Sequence, residues 1–527
     1  MISDQLGQFT PTYYRFMPSI DKYKVQKKKM VTKNKINSNI KHQVTATTSN
    51  NNIKNHIALD LDRVIEKALK ACQPNKLELK TLRSVEKEII NEIKTNLVPE
   101  VVAIKSGGSF AKGTNLKNDT DIDIFILIDK KVSESRFEGI AMDIGFKSLS
   151  KYTPRTRFSE HPYVEGFVRK NKKECPVRIN IVPCYAVEKG NWKSAADRSQ
   201  YHTEYMTKNL TKDQKDQVRI LKKFLKTIGI YGAEMLISGF SGYVSEVLVL
   251  KYNTFKDVLV NISNLDKKET VISTHENKAI DEAKFHSPII IIDPIDENRN
   301  LGAAISAESL SKFIMASRTF LKHPSMYFFN FQQSTNKVTK VVADQTKSDI
   351  LSHLIVIKFH YSSRSPDVIS GQLKKLTKAI VKQTNSFDFN IIKSQCYIKD
   401  DCNLALIVLL LEFKKLPSYV VNKGPDIFMK DEVSNFIKKN KNNSKFTWIN
   451  EEMRISCLKE RKNDDIIEFL KEAITSNTEI GIPKGLRSDL KKGFGLFFLD
   501  SKKIRKDPIF QDVLYDFILK NSMIFED

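Results

Sequence analysis

The feature that most constrains this chain is one stretch, Ser106-Gly-Gly-Ser-Phe-Ala-Lys-Gly-Thr-Asn-Leu-Lys-Asn-Asp-Thr-Asp-Ile-Asp-Ile-Phe-Ile-Leu-Ile128. It follows a short apolar run, Val101-Val-Ala-Ile104, that reads as a strand. Gly107, Gly108 and Ser109 then open a turn into a short helix, where free N–H groups and the Ser109 hydroxyl suit a phosphate. Beyond it, Asp121 and Asp123 head an alternating strand over 121–128. Side chains alternate with period two along a strand, so both carboxylates face the same way. Two neighbouring carboxylates repel unless a divalent cation lies between them, and hard oxygen ligands suit Mg²⁺. A phosphate cradle followed by a two-carboxylate strand is the pattern of nucleotidyl transfer, in which metal ions hold a triphosphate. A glycine turn before an edge strand with solvated aspartates explains each residue singly, but not the strand, spacing and Asp-x-Asp pair together.

The rest of the chain must supply what such a site acts on. At 527 residues there is room for about three domains, each with its own core. A net charge of +24, from 86 Lys and Arg against 62 Asp and Glu, points to a polyanionic partner, most simply nucleic acid. The six cysteines, Cys72, Cys175, Cys184, Cys396, Cys402 and Cys457, form no C-x-x-C pair, so neither a zinc site nor a disulfide framework is expected. Reduced thiols fit a cytoplasmic protein. The longest apolar run, over 404–411, is too short to span a membrane, and no secretion signal is expected at the N-terminus.

Residues 1–55 are rich in Lys, Asn, Thr and Gln and read as a disordered basic arm, with a true start at Met30 left open for residues 1–29. Helical spacing follows over 59–72, ending before Pro74, and again over about 76–97. A helix over 137–152 precedes a hairpin with strands at about 163–169 and 176–184, turning at 171–173. This order gives an α+β head of small nucleotidyltransferase type, a small mixed sheet with helices. The stretch 218–226 is an amphipathic helix with Ile220, Leu221, Phe224 and Leu225 inward and Lys222, Lys223 and Lys226 outward. From about 350, strands at 354–360, 389–398 and 404–413 with a helix over 370–383 give a β-α-β-β order, suggesting a ferredoxin-like module able to hold RNA. Helices are expected over 431–441 and 466–473, and lysines interleaved with Phe428, Phe436, Phe446 and Trp448 suit backbone contact and base stacking.

Several motifs carry a more specific resemblance. Val177-Arg-Ile-Asn-Ile-Val-Pro-Cys-Tyr185, Lys193-Ser-Ala-Ala-Asp-Arg198, His202-Thr-Glu-Tyr205 and Ile220-Leu-Lys-Lys-Phe-Leu-Lys226 follow one another in order. Gly229-Ile-Tyr-Gly-Ala-Glu234, Ser238-Gly-Phe-Ser-Gly-Tyr243 and Asp293-Pro-Ile-Asp-Glu-Asn-Arg-Asn300 complete the series. Together they resemble the archaeal, class I CCA-adding tRNA nucleotidyltransferases of the DNA polymerase β-like superfamily, strongly over 57–330 and more faintly beyond. The resemblance implies a Mg²⁺-dependent, template-independent enzyme that adds C, C and A to tRNA 3′ ends from CTP and ATP. It implies a catalytic domain over 56–200, a helical central domain over 201–345 and a tRNA-binding domain over 346–527. It also implies a dimer, since the family commonly forms one. By the same resemblance Asp121 and Asp123 hold metal, Ser109, Lys112 and Lys222 hold the triphosphate, His202 and Tyr231 contact nucleotide, and Arg299 helps recognise C and A.

The chain departs from that pattern at Asn180, where the family carries a third metal-binding aspartate. Parity puts Asn180 on the strand face that meets Asp121 and Asp123, so the position is present and its charge is missing. An amide can offer a cation one carbonyl oxygen but cannot accept the proton of an attacking hydroxyl. Glu174 and Glu188 stand too far along the chain to replace it. A catalytically impaired tRNA-binding homologue is therefore the alternative reading. Lys112, where the family usually has arginine, keeps the charge but loses the planar fork.

Overall fold

The structure is a computed structural model and describes residues 59–158, 160–169, 176–266, 271–274, 285, 287–329, 350–476, 481–499, 507–520 and 524–525. The expected basic arm, the hairpin turn at 171–173, and Glu174 lie outside the described residues. All packing below is within the unit Asp60–Asp527.

The head begins with helix α1 over 59–72 and helix α2 (Lys76–Thr95), whose first turn is capped by Asn75 accepting from the Glu78 N–H at 2.8 Å. Strand β1 (Val101–Gly107) leads through the one-turn helix α3 (Gly108–Lys112) into β2 (Asp121–Asp129). After α4 (Glu134–Ser148) come β3 (Arg155–Phe158), β4 (Pro162–Val168) and β5 (Val177–Ala186). These strands form one mixed sheet in the order β1-β2-β5-β4-β3, with β2 and β5 parallel and the other pairs antiparallel. The period-two pattern of β2 decides what each face does. Ile122, Ile124, Ile126 and Ile128 are buried against Val85, Ile89 and Ile93 of α2 and Phe137, Ile140 and Ile144 of α4. Asp121 and Asp123 are thereby turned to the opposite face.

A helical body follows, built from α5 (Asp197–Asn209), α6 (Lys212–Thr227), α7 (Gly242–Tyr252), α8 (Phe255–Ser263) and α9 (Ala307–Lys322). Thr211 and Gln214 close α6 with a capping box, and Ser241, Thr254 and Ser306 cap the next three helices. Its core centres on Phe224, whose ring lies 5.4–6.0 Å from those of Phe255, Phe320, Phe328 and Phe329. Between α8 and α9 run β6 (Val271–Ile272), β7 (Ile290–Asp293) and β8 (Asp296–Asn300), the last two an antiparallel hairpin.

The C-terminal region holds β9 (Leu354–His360), α10 (Pro366–Ser386), β10 (Ile391–Lys399) and β11 (Leu404–Leu411). Then come β12 (Tyr419–Asp426), α11 (Lys430–Asn440), β13 (Ser444–Ile449) and β14 (Arg454–Glu460), which form a separate three-stranded sheet with its helix. Helices α12 (Ile466–Ser476) and α13 (Lys484–Lys491) return the chain to β15 (Gly495–Phe498). The larger sheet has the order β10-β11-β9-β15, antiparallel throughout, which is the ferredoxin-like arrangement. The continuous apolar run of β11 follows from its place in that sheet. Ala405, Ile407 and Leu409 pack toward α10 and α12, while Leu404, Leu406 and Val408 pack on the other side against Phe510, Val513 and Phe517. Among the described residues, no helix is long and apolar enough to cross a membrane.

Candidate active site

The strand register assembles the carboxylates. Asp123, Asn180 and Glu165 stand in one row across β2, β5 and β4, and Asp121 stands beside Arg178 in the next. The Asn180 amide Nδ2 donates to Asp123 Oδ1 at 2.8 Å, while its carbonyl Oδ1 is shielded from solvent with no hydrogen-bond partner. Arg178 Nε donates to Asp121 Oδ1 at 2.8 Å, and a second guanidinium N–H donates to Oδ2. Burial and then the neighbouring Asp121 charge raise the Asp123 carboxyl above its ordinary range, against the bond from Asn180. Asp121, through its twin bond, holds the Arg178 guanidinium charged in spite of partial burial.

Two observations test whether these residues suit a cation. Gly108 has φ +67, and a β-carbon there would collide with Asp123 Oδ2, so only glycine leaves that oxygen its place. The orphaned Asn180 carbonyl beside it is a second oxygen with unmet bonding capacity. A buried carboxylate whose charge is penalised, with a spare carbonyl oxygen alongside, fits a hard cation. Asp121, on the same face, has both carboxylate oxygens bonded to Arg178.

The expected triphosphate lysines lie elsewhere than on an open face. Lys222 is 1% exposed, which corrects the expectation that it points outward. The reason is Glu246 of α7, a fully buried acid that draws two lysines inward: Lys112 Nζ is 2.5 Å from Oε2 and Lys222 Nζ 3.1 Å from Oε1. The Thr114 hydroxyl donates to Glu246 Oε1 at 2.6 Å and accepts from Lys222 at 3.0 Å. Burial would raise the Glu246 carboxyl, but Lys112 and then Lys222 hold it down at about 2. Burial lowers the Lys222 ammonium to about 8, against the attraction of Glu246. This cluster pins α3, the turn beneath Ser109, to the helical body.

A second hub is Asp293 at the end of β7, also fully buried. His202 Nε2 lies 2.9 Å from its Oδ2, Arg299 Nη1 3.1 Å from the same oxygen, and the Tyr243 hydroxyl donates to Oδ1 at 3.0 Å. The His202 ring stacks on Tyr243 with centroids 3.8 Å apart. Burial lowers His202 more than Asp293 raises it, so the ring is held toward its neutral form and donates from Nε2. Burial would raise the Asp293 carboxyl, yet the bonds from His202, the Ile295 N–H and Arg299 keep it below its ordinary value.

Two cavities divide the expected residues. A cleft of about 1380 Å³ is lined by Ser109, Asp121, Lys222 and Tyr231 on one side and by Lys374, Lys378 and Lys393 of the C-terminal region on the other. A smaller one of about 420 Å³ is lined by Lys112, Asp123, Asn180, His202 and Tyr243. Arg299 lines neither and is tied to Asp293. Three of the quoted motifs serve structure. Asp197 accepts from the N–H groups of Tyr185, Lys193 and Ser194 and from the Ser194 hydroxyl. The two glycine motifs clasp each other through Phe240 N–H to Ile230 O at 2.8 Å and Gly232 N–H to Phe240 O at 2.9 Å.

Reasoning from sequence missed Arg178, Glu165, Thr114, Tyr243, Glu246 and the hub role of Asp293. Glu188, weighed as a stand-in acid, is exposed beyond the end of β5. The signal for Glu165 was present: the expected hairpin, folded about 171–173, brings residues near 165 opposite residues near 180.

Comparison with known proteins agrees along the chain. A nucleotidyltransferase domain family matches residues 86–202, the second domain of tRNA nucleotidyltransferase matches 216–330, and the C-terminal domain of CCA-adding enzyme matches 352–498. The chain is 32% identical to a protein of Methanocaldococcus jannaschii named CCA-adding enzyme, over 81% of this chain and 94% of that one. It is 33% identical to the protein of the same name from Saccharolobus islandicus, over 79% of this chain and 93% of that one. Among solved structures it aligns with the Cid1 poly(U) polymerase at 16% identity and a TM-score of 0.41, covering 51% of this chain and 97% of that one.

Proposed function

The chain belongs to the family of CCA-adding enzymes, and from that premise we propose that it adds C, C and A to the 3′ end of tRNA from CTP and ATP, releasing pyrophosphate. The observation that carries this reading is the Asp121–Asp123 pair on one strand face, with Asp121 and Ser109 lining a cleft whose opposite wall carries lysines and Asp123 lining the smaller cavity. An anionic RNA end and a triphosphate can both enter such a cleft.

In this reading Asp121, Asp123 and the Asn180 carbonyl hold a divalent cation, proposed as Mg²⁺. That ion supplies charge stabilisation on the triphosphate. Ser109 and the N–H groups around it bind phosphate oxygens, with Lys112 and Lys222 adding positive charge from beneath. His202, Tyr231 and Arg299 contact the nucleotide, and Asp293 fixes two of these three in place. Asn180 cannot take the proton of the attacking 3′-hydroxyl. Glu165 in the same row is enclosed by guanidinium groups, which leaves Asp123 to accept it.

The test is incubation of the purified protein with tRNA lacking CCA, labelled CTP and ATP, and Mg²⁺. Three additions followed by a stop are expected, and no extension with enzyme in excess of tRNA overturns the reading. Tight tRNA binding without extension would indicate the impaired homologue that Asn180 raises, an alternative to which the family matches lend nothing. The cytoplasm is the proposed compartment, and a homodimer is proposed from the resemblance, with light scattering as its check.

A further inference from the structure

Arg178 stands between two carboxylates on the catalytic face. It holds Asp121 through two N–H groups, and its Nη1 lies 3.8 Å from Glu165 Oε2. Glu165 is 2% exposed and accepts from Arg155 Nε at 2.6 Å and Arg157 Nε at 3.1 Å. Both of those bonds go to Oε1, so the oxygen turned toward Arg178 is the other one. Arg178 itself is 44% exposed at its side chain.

Resting on the proposed function, we propose that Arg178 is a built-in counter-ion that holds Asp121 when no cation is bound and passes to Glu165 when one arrives. The fork on Asp121 occupies both carboxylate oxygens, which are the atoms a cation needs. Each oxygen keeps a second lone pair, so a cation displaces the guanidinium through repulsion between the two positive charges, and a displaced guanidinium needs another acceptor. Glu165 Oε2 is already within ion-pair range, and about 1 Å of movement makes it a charge-assisted hydrogen bond. The device belongs with Asn180. With Asn180 in place of a third cation-ligand carboxylate, one acid of the pair is neutralised internally until the ion displaces its partner. Glu165, directly beside Asn180 in register, is thus a positioning residue rather than a replacement ligand.

The test uses the full chain without nucleotide or tRNA and Mn²⁺ as the probe, its free concentration read by electron paramagnetic resonance. Arg178→Gln is expected to bind Mn²⁺ more tightly, by about two- to fivefold, the range a partly exposed ion pair covers. Glu165→Gln is expected to bind it more weakly, because Arg178 then has no second acceptor. The double variant should bind as tightly as Arg178→Gln alone. Unchanged or weaker binding in Arg178→Gln, or a Glu165 effect that persists undiminished in its background, overturns the counter-ion. Should Glu165→Gln fail to fold, Arg178→Gln alone decides. If Asp121→Asn and Asp123→Asn leave Mn²⁺ binding unaltered, the cation reading itself falls and takes this proposal with it, an outcome distinct from the others.

Discussion

Lys112 Nζ lies 2.5 Å from Glu246 Oε2, and the joint between the head and the helical body closes around that pair. Removing one partner of a buried ion cluster leaves the others unpaired, which typically costs about 3–5 kcal/mol. Glu246→Gln is therefore expected to lower unfolding free energy by that amount in denaturant titrations. Acid gives the same group a second signature. Its folded value of about 2 lies below the ordinary 4.5, so its stabilisation is complete above pH 4.5 and is lost as pH falls toward 2. That lowering corresponds to about 3 kcal/mol, and the acid loss over this window should be smaller in Glu246→Gln.

Asn180→Asp places a carboxylate where an amide now donates to Asp123. Without a divalent cation three acids then face one another, and the melting temperature is expected to fall below that of the parent protein. With the cation restored the variant should regain that loss, and the rate of CMP addition should rise by up to about 10², the low end of what a general base is worth, since Asp123 already accepts the proton. Melting curves with and without chelator, beside extension kinetics, check both halves.

Much of this site is local in sequence and was legible there. The alternation from Asp121 to Ile128 fixes which residues of β2 face the helices and which turn to the opposite face, and β2 has the form expected of it. The β-α-β-β order after residue 350 likewise leads to the ferredoxin-like sheet. What stayed hidden depends on groups far apart in the chain. Lys222 looks like a solvated lysine until Glu246, on another helix, is seen to draw it inward. Arg178 acquires meaning only from its neighbours on two other strands. Asp293 reads as part of a turn motif, since nothing nearby in sequence shows that His202 and Tyr243 converge on it.

Asp293→Asn removes the shared charge that aims His202 and Arg299. Hydrogen bonds to a charged group are worth about 1.5–3 kcal/mol, so discrimination of CTP and ATP against UTP and GTP should drop about tenfold or more. Competition assays with all four nucleotides read this directly, and misincorporation should change more than the rate of correct addition. His202 adds a pH dependence of known sign. Its folded value lies below the ordinary 6.5, so its contribution to stability is present above pH 6.5 and is lost as pH falls through the folded value. In His202→Asn the slope of stability against pH below 6.5 should flatten.

Gly108 and Gly113 separate backbone conformation from room for Asp123. Both have positive φ, +67 and +71, where an L side chain costs about 1–2 kcal/mol. At Gly113 a β-carbon would meet only the Lys215 side chain at an ordinary 3.6 Å, whereas at Gly108 it would strike the Asp123 carboxylate. Each glycine changed to alanine should therefore lose about 1–2 kcal/mol of stability from the backbone term. Gly108→Ala should in addition displace Asp123 and weaken Mn²⁺ binding, while Gly113→Ala should leave that binding unchanged. Equal Mn²⁺ affinities in the two variants would show that the turn does not shape the carboxylate site.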